Sequence, residues 1–339
     1  MARTRSPAPR NRPIEIAGTT VAPGRRQLVE IPVARLPTAT RLNLPIVVLN
    51  GHRPGPKLWL SAVVHGDELN GLEIIRRVLE VTRPRRLAGT LLAVPVVNVF
   101  GMVTETRYLP DRRDLNRSFP GSAKGSLAAQ LANLFMTNVV AACDVGIDLH
   151  TGSDHRFNLP QLRGDLEDPA TLRLAQAFGA PVSVHSPLRD GSLREAGRRR
   201  GVPVVVYEGG EAHRFNETAI SAGVDGVLRV LAELEMRTSD PVPPRAETTV
   251  VRHTHWLRAR RTGILRSTVR PGQRVGKGEV LGIIADAVGD SRATMKAPFG
   301  AVVISLTQHP LVNRGDALWH LADLDPAAKG TAARPPRGR

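Results

Sequence analysis

Cysteine is almost missing from this sequence: Cys143 stands alone in 339 residues, so no internal disulfide can form. It closes an apolar helical run and has no other thiol near it, which is the pattern of a buried structural residue. Aromatic residues make up only 4% of the chain. That scarcity argues against binding single-stranded nucleic acid, where bases stack on aromatic faces, and leaves the core to Val, Leu, Ile and Ala. No apolar run reaches the ~18 residues of a membrane-spanning helix. The first arginines have no apolar stretch behind them, so no secretory signal is expected and the cytoplasm is the expected compartment.

Acids are missing from both ends. Residues 1–12 hold Arg3, Arg5, Arg10 and Arg12, and residues 326–339 hold Lys329, Arg334, Arg337 and Arg339, with no carboxylate in either stretch. Half of the formal net charge of +16 therefore sits in Pro-, Ala- and Arg-rich tails that are not expected to fold. The charge left on the body suits a small anionic substrate as well as nucleic acid, and no specific nucleic-acid partner is expected.

What is present is ordinary for a globular chain, with 41% hydrophobic and 23% charged residues. The length suggests about two domains. Short β-rich runs at Ile46–Leu49, Leu58–Val64, Leu91–Val97, Val145–Leu149, Pro181–Val184 and Val202–Tyr207 alternate with helical patterns at 69–79, 127–135, 172–178 and 217–236. The pattern predicts an α/β domain over 14–239, built on a mixed, largely parallel sheet with helices on both faces. Clustered prolines mark a linker at 240–248. Glycine-punctuated β runs then predict a small all-β domain over 249–325, similar to a biotinyl/lipoyl-like barrel-sandwich. Tails at 1–13 and 326–339 complete the expected organisation. Lys296 follows Met295 as in carriers of biotin or lipoate, but it abuts Ala297-Pro298 directly, so a structural cap is the preferred reading.

His65, His150 and Glu208 each follow a predicted strand. Parallel strands end at one edge of an open sheet, and ligands bind in the crevice there. In His65-Gly-Asp-Glu68 an imidazole and a carboxylate lie one turn apart and can grip one ion, although this spacing alone is more often structural. In Asp148-Leu-His150, strand alternation puts both polar side chains on one face, where Asp148 can orient the imidazole. Two His and one Glu leave a fourth position for water, as in catalytic zinc sites. Glu208 leaves a buried strand ahead of Gly209-Gly210, whose missing side chains are expected to leave room for substrate. The segment from Arg107 to Gly121 reads either as a solvated loop or as a carboxylate clamp built from Asn116 and neighbouring arginines. His253 and His255 share a strand face without an evident third ligand.

With these residues in place the sequence resembles the succinylglutamate desuccinylase/aspartoacylase family of zinc carboxypeptidase-like hydrolases. His65-Gly-Asp-Glu-Leu-Asn-Gly71, Asp114-Leu-Asn-Arg-Ser-Phe-Pro-Gly121, Asp148-Leu-His150 and Glu208-Gly-Gly210 occur in the family's order across roughly residues 40–325. The resemblance implies one zinc ion per subunit, held by His65, Glu68 and His150, with Glu208 as general base and acid. It further implies Arg107 as carbonyl polariser and Asn116 with Arg117 as the clamp on a substrate carboxylate. Arg198 is the nearest match to an additional substrate-binding arginine, though its neighbours Arg194, Arg199 and Arg200 suggest a solvated helix face. Such a site would hydrolyse the amide bond of a small N-acyl amino acid with metal-activated water. A metallocarboxypeptidase on the same scaffold and a nonenzymatic polyanion binder using the basic tails are the alternatives. No membrane partner is expected, and self-association is left open.

Overall fold

Valine, leucine and isoleucine crowd the runs around residues 58, 91, 145 and 204, and in the computed structural model these runs become the centre of a mixed sheet. Residues 10–237, 243–244, 247–289 and 291–324 are described. The chain divides into two compact units, Met1–Thr249 and Val250–Arg339. The two expected tails fall outside the described residues, apart from 10–13 at the start. There the fold already begins, because Asn11 Nδ2 donates to Asn50 Oδ1 at 2.9 Å.

The first unit opens with a hairpin of β1 (Ile14–Ile16) and β2 (Thr19–Val21), then β3 (Arg25–Arg35), β4 (Arg41–Asn50) and β5 (Arg53–Ala62). It continues through α1 (Asn70–Val81), β6 (Ala88–Val94), α2 (Val99–Val103), α3 (Leu127–Asn138), β7 (Val145–Gly152) and β8 (Arg156–Gly164). The last elements are α4 (Pro169–Phe178), β9 (Val182–His185), α5 (Leu193–Arg199), β10 (Val204–Glu211) and α6 (Glu217–Glu233). Strands pair in the order β9-β8-β10-β7-β5-β6-β4-β3. β10, β7, β5 and β6 are mutually parallel, while β4 and β8 run antiparallel to their inner neighbours.

Two of these strands lie outside the runs read from the sequence. β3 has alternating Val29, Ile31 and Val33, but arginines and Pro32 dilute the pattern, and its outer face is exposed. β8, Arg-Phe-Asn-Leu-Pro-Gln-Leu-Arg-Gly, has weak β propensity and is held by pairing on both sides. The central strands are buried on both faces, as parallel strands between helical layers must be. α1, α4 and α6 pack Ile74, Ile75, Val78, Phe178, Ile220 and Val227 against Leu58 and Leu60. α3 and α5 pack Leu131, Phe135, Leu193 and Ala196 on the other face with Trp59. Helices therefore cover both faces. Trp59 lies so close to Gly146 on β7 that a Cβ there would stand 2.0 Å from the indole, so only glycine fits.

The second unit is all β. Gly263–Ser267, Val280–Ala285 and Arg292–Lys296 form one antiparallel sheet with Leu311–Val312. Ala301–Thr307 pairs Ala317–Asp323, which in turn pairs Thr254–Arg258. Trp319, Leu281, Ile284 and Val303 fill the space between these strands. Lys296 ends a strand and pairs with Val280, removed from the turn that joins 285 to 292.

Candidate metal centre

β5 and β7 deliver the candidate ligands to one edge of the sheet. After Ala62 the chain turns through Val63, held at φ 54°, a conformation a β-branched residue rarely adopts. Val97 and Asn98 donate backbone hydrogen bonds to Ala62 and Val63 and fix the turn. Gly66 is required here, since a Cβ would lie 1.9 Å from the carbonyl carbon of Gly101 in α2. The turn leaves His65 and Glu68 beside His150 at the end of β7, and all three are buried.

Glu68 sits between the two imidazoles. Its Oε1 is 2.8 Å from His65 Nδ1 and its Oε2 is 2.8 Å from His150 Nδ1, while Thr151 N–H donates to Oε2. One donor atom from each residue lies within 4.8 Å of the others, a spacing that a single ion can bridge. The electrostatics favour a cation at this point. Burial would raise the Glu68 carboxyl, but His65 and His150 outweigh it and hold the group well below the usual carboxylate range. Burial would lower both imidazoles, yet Glu68 and Asp114 raise His65, and Asp148 and Glu68 raise His150 well above the ordinary value. The ionised carboxylates around the two imidazoles favour positive charge between them, and an ion bound there would take the place of the imidazole protons.

Both imidazoles are held from behind by a carboxylate. His150 Nε2 lies 2.7 Å from Asp148 Oδ2, and Ser61 Oγ donates to Asp148 Oδ1 at 2.7 Å. The sheet register makes this alignment: Ser61 stands opposite Asp148, and Asp148 opposite Val206. His65 Nε2 lies 3.2 Å from Asp114 Oδ1, a partner the sequence alone did not reveal. With each Nε2 engaged by an acid, each Nδ1 faces the third candidate ligand, Glu68.

Glu208 stands directly opposite His150 in the β7–β10 ladder. Its Oε2 accepts from Asn158 Nδ2 at 2.9 Å, a residue supplied by antiparallel β8. Burial pushes its pKa up and Glu68 adds to the rise, while Arg163 and His150 oppose it. A buried carboxyl with a raised pKa beside a His–Glu–His cluster is the kind of group that can exchange a proton. Gly209 and Gly210 differ from expectation: both are buried. A Cβ at Gly209 would stand 2.6 Å from the Tyr207 hydroxyl, and one at Gly210 2.4 Å from Asn70 Nδ2. Packing, rather than room for substrate, demands glycine there.

The arginine-rich segment folds over the same cluster. Arg107 donates through Nη1 to Glu68 Oε1 at 3.3 Å and through Nη2 to Asp114 Oδ2 at 2.9 Å. Asp114 also accepts Asn116 N–H at 2.8 Å and so caps the short turn Leu115–Arg117. Asn116 Oδ1 accepts Leu193 N–H at 2.9 Å, which ties this turn to the start of α5 and leaves only its amide nitrogen for a ligand. Arg117 is exposed and forms no ion pair among the described residues; burial of part of the guanidinium lowers its pKa, as does the nearby Arg189, while Asp114 opposes the shift.

Arg198 is placed elsewhere. Its Nη2 points to Asp168 Oδ1 at 3.7 Å, and half of its side chain is exposed. Arg194, one turn earlier, is the arginine of α5 that senses the site. It donates to Ser186 O at 2.9 Å, and Glu208 and Asp148 offset part of the pKa lowering that burial and Arg163 impose. A one-turn offset on α5 is below what spacing to Glu208 could resolve.

A second group, Asp165, Glu167 and His185, has metal-ligand types within the same span. However, His185 Nδ1 accepts Leu166 N–H at 3.2 Å, so the neutral ring keeps its proton on Nε2 and has no lone pair left for an ion. His253 and His255 join no such group among the described residues. Cys143 is buried and its thiol pKa is pushed far up, in keeping with a structural role.

Comparison with known proteins gives consistent results. Residues 54–234 match the model of the succinylglutamate desuccinylase/aspartoacylase catalytic domain. The N-alpha-acetyl-L-2,4-diaminobutyric acid deacetylase of Halomonas elongata is 27% identical over 294 residues, covering 83% of this chain and 86% of that protein. A succinylglutamate desuccinylase/aspartoacylase from Rhodobacter sphaeroides superposes with a TM-score of 0.78 at 27% identity, over 88% of this chain and 94% of its own. The product-bound ectoine utilization protein EutE (DoeB) of Ruegeria pomeroyi shares the fold, with a TM-score of 0.79 at 22% identity over 94% of this chain and 100% of its own.

Proposed function

The chain belongs to the succinylglutamate desuccinylase/aspartoacylase family, and from that premise we propose that it is a zinc-dependent deacylase of small N-acyl amino acids. The observation that carries the reading is the pairing of Glu208 with His150 on adjacent parallel strands, which fixes a proton acceptor beside a buried His–Glu–His cluster. His65, Glu68 and His150 would hold one zinc ion per subunit, and the ion would supply Lewis acidity toward the amide carbonyl and toward water. Glu208 removes the proton from the attacking water and returns it to the departing amine. Asn158 keeps the carboxylate aimed while burial holds its pKa high. Arg107 presents a guanidinium against Glu68 and Asp114, positioned to stabilise negative charge developing on the carbonyl oxygen.

Arg117 and Arg189 form no ion pair among the described residues and favour a substrate bearing a carboxylate. The Halomonas relative acts on an acetylated diamino acid, and we take that compound as the first substrate to try. No helix among the described residues is long and apolar enough to cross a membrane. The cytoplasm remains the proposed compartment.

The test is a metal determination joined to a substrate screen. Purified protein should contain about one equivalent of zinc. It should release free amine from N-acetyl and N-succinyl amino acids, Nα-acetyl-2,4-diaminobutyrate among them, and lose that activity on chelation. Faster release of carboxy-terminal residues from peptides would instead establish a carboxypeptidase and overturn the proposal.

A further inference from the structure

Several arginines on the first unit's surface meet acids. Arg76 pairs with Glu73 and Glu80, Arg77 with Glu73 and Glu217, and Arg173 with Glu233. One cleft gathers arginines that do not. The turn Ala22–Gly24 between β2 and β3, the β4–β5 turn at His52 and the short turn Pro84–Arg86 enclose a cavity of about 540 Å³. Arg10, Arg25, Arg85 and His52 line it, and no carboxylate does. None of the three arginines forms an ion pair among the described residues.

The frame of this cleft is rigid. Gly24 N–H donates to Asn50 O at 2.8 Å, His52 N–H to Pro84 O at 3.0 Å, and Asn11 N–H to His52 O at 2.9 Å. These bonds occupy the neighbouring backbone donors, so recognition falls to the side chains. β5 and β6 begin beside the cleft and end toward the metal cluster, which places the two sites at opposite edges of the sheet, roughly 30 Å apart at about 3.3 Å per residue along β5.

We propose that this cleft is a second binding site, for a compact phosphoanion of the pyrophosphate type. Three arginines around one cavity whose lining holds no carboxylate make it electropositive, and an anion of two or more charges suits it. Their planar forks match phosphate oxygens two at a time. The volume lies within the range of small-molecule sites. No aromatic side chain lines the cavity, so there is no face for a nucleobase and the phosphates themselves are what is recognised. The inference does not depend on the deacylase reading, because it shares no residue with the metal centre.

Isothermal titration of the full chain with pyrophosphate, inorganic phosphate and ATP, at constant ionic strength, tests it. Pyrophosphate should bind one saturable site, weakened roughly tenfold by either Arg25→Ala or Arg85→Ala and roughly a hundredfold by both. Both residues are exposed and unpaired, so turnover at the metal centre should stay at the wild-type level and report intact folding. Equal affinity for pyrophosphate and ATP assigns the site to the free anion, while tighter ATP binding assigns it to a nucleotide's phosphate tail. Undiminished binding in the double variant, or no saturable heat with pyrophosphate, overturns the proposal.

Discussion

Replacing Glu208 with glutamine separates chemistry from metal binding and from folding in a single variant. Glutamine matches the volume and still offers an oxygen to Asn158 Nδ2, which now donates to Glu208 Oε2 at 2.9 Å. It cannot accept the proton of an attacking water. General acid–base catalysis is worth typically 10²–10⁴-fold, so kcat should fall by that factor, about 2.7–5.4 kcal/mol of barrier. KM should change little, and the metal content should not change, because Glu208 is not among the proposed ligands His65, Glu68 and His150.

Stability gives the variant an independent readout. The folded-state pKa of Glu208 is raised above its ordinary value of 4.5 by burial and by Glu68. A carboxyl raised on folding opposes the folded state wherever it is ionised. The wild type therefore gains stability from this group as pH falls from neutral through the folded pKa, and the gain is complete below about pH 4.5. Glutamine, neutral throughout, should raise the melting temperature of metal-free protein at neutral pH, and the difference should vanish in acid. Steady-state kinetics, metal analysis and paired melts measure all three quantities. Turnover within tenfold of wild type would refute the role of Glu208, and lost metal would refute the ligand assignment.

Two further substitutions address the surroundings of the site. Asp148→Asn weakens the support behind His150 Nε2, now 2.7 Å from the carboxylate, and should reduce zinc affinity roughly 10–100-fold in competition with a chelating indicator. Unchanged affinity would show that the ring is held by packing alone. Arg198→Ala removes a half-exposed side chain 3.7 Å from Asp168 and should leave kcat/KM within about twofold. Arg194→Ala removes a charge coupled to Glu208 and should lower kcat/KM by about tenfold or more. Equal effects of the two would refute the placement of α5.

Much of the fold was legible because burial writes itself locally. Leu58–Ala62, Val145–Leu149 and Val204–Tyr207 are mostly apolar and buried on both faces, as strands between two helical layers must be. The residues that end those strands could be named for the same reason. Elements whose stability comes from partners were not legible. β8 contains Pro160 and Asn158 and has little strand character of its own, yet it pairs with β10 and β9 and brings Asn158 to Glu208. Asp114 stood in a recognisable motif, but its contact with His65 spans 49 positions that spacing could not close.

The sequence by itself determined which side chains leave the parallel strands at one edge of the sheet: His65 and Glu68 after β5, His150 in β7, Glu208 in β10. Periodicity and burial are properties of neighbouring residues, so they survive in one dimension. Tertiary structure decided register and convergence. It set Glu208 opposite His150 and Ser61 opposite Asp148, turned Arg198 toward Asp168, and gathered Arg10, Arg25, His52 and Arg85 around one cleft. Those placements depend on hydrogen bonds and packing between segments far apart in the chain, and no local pattern encodes them.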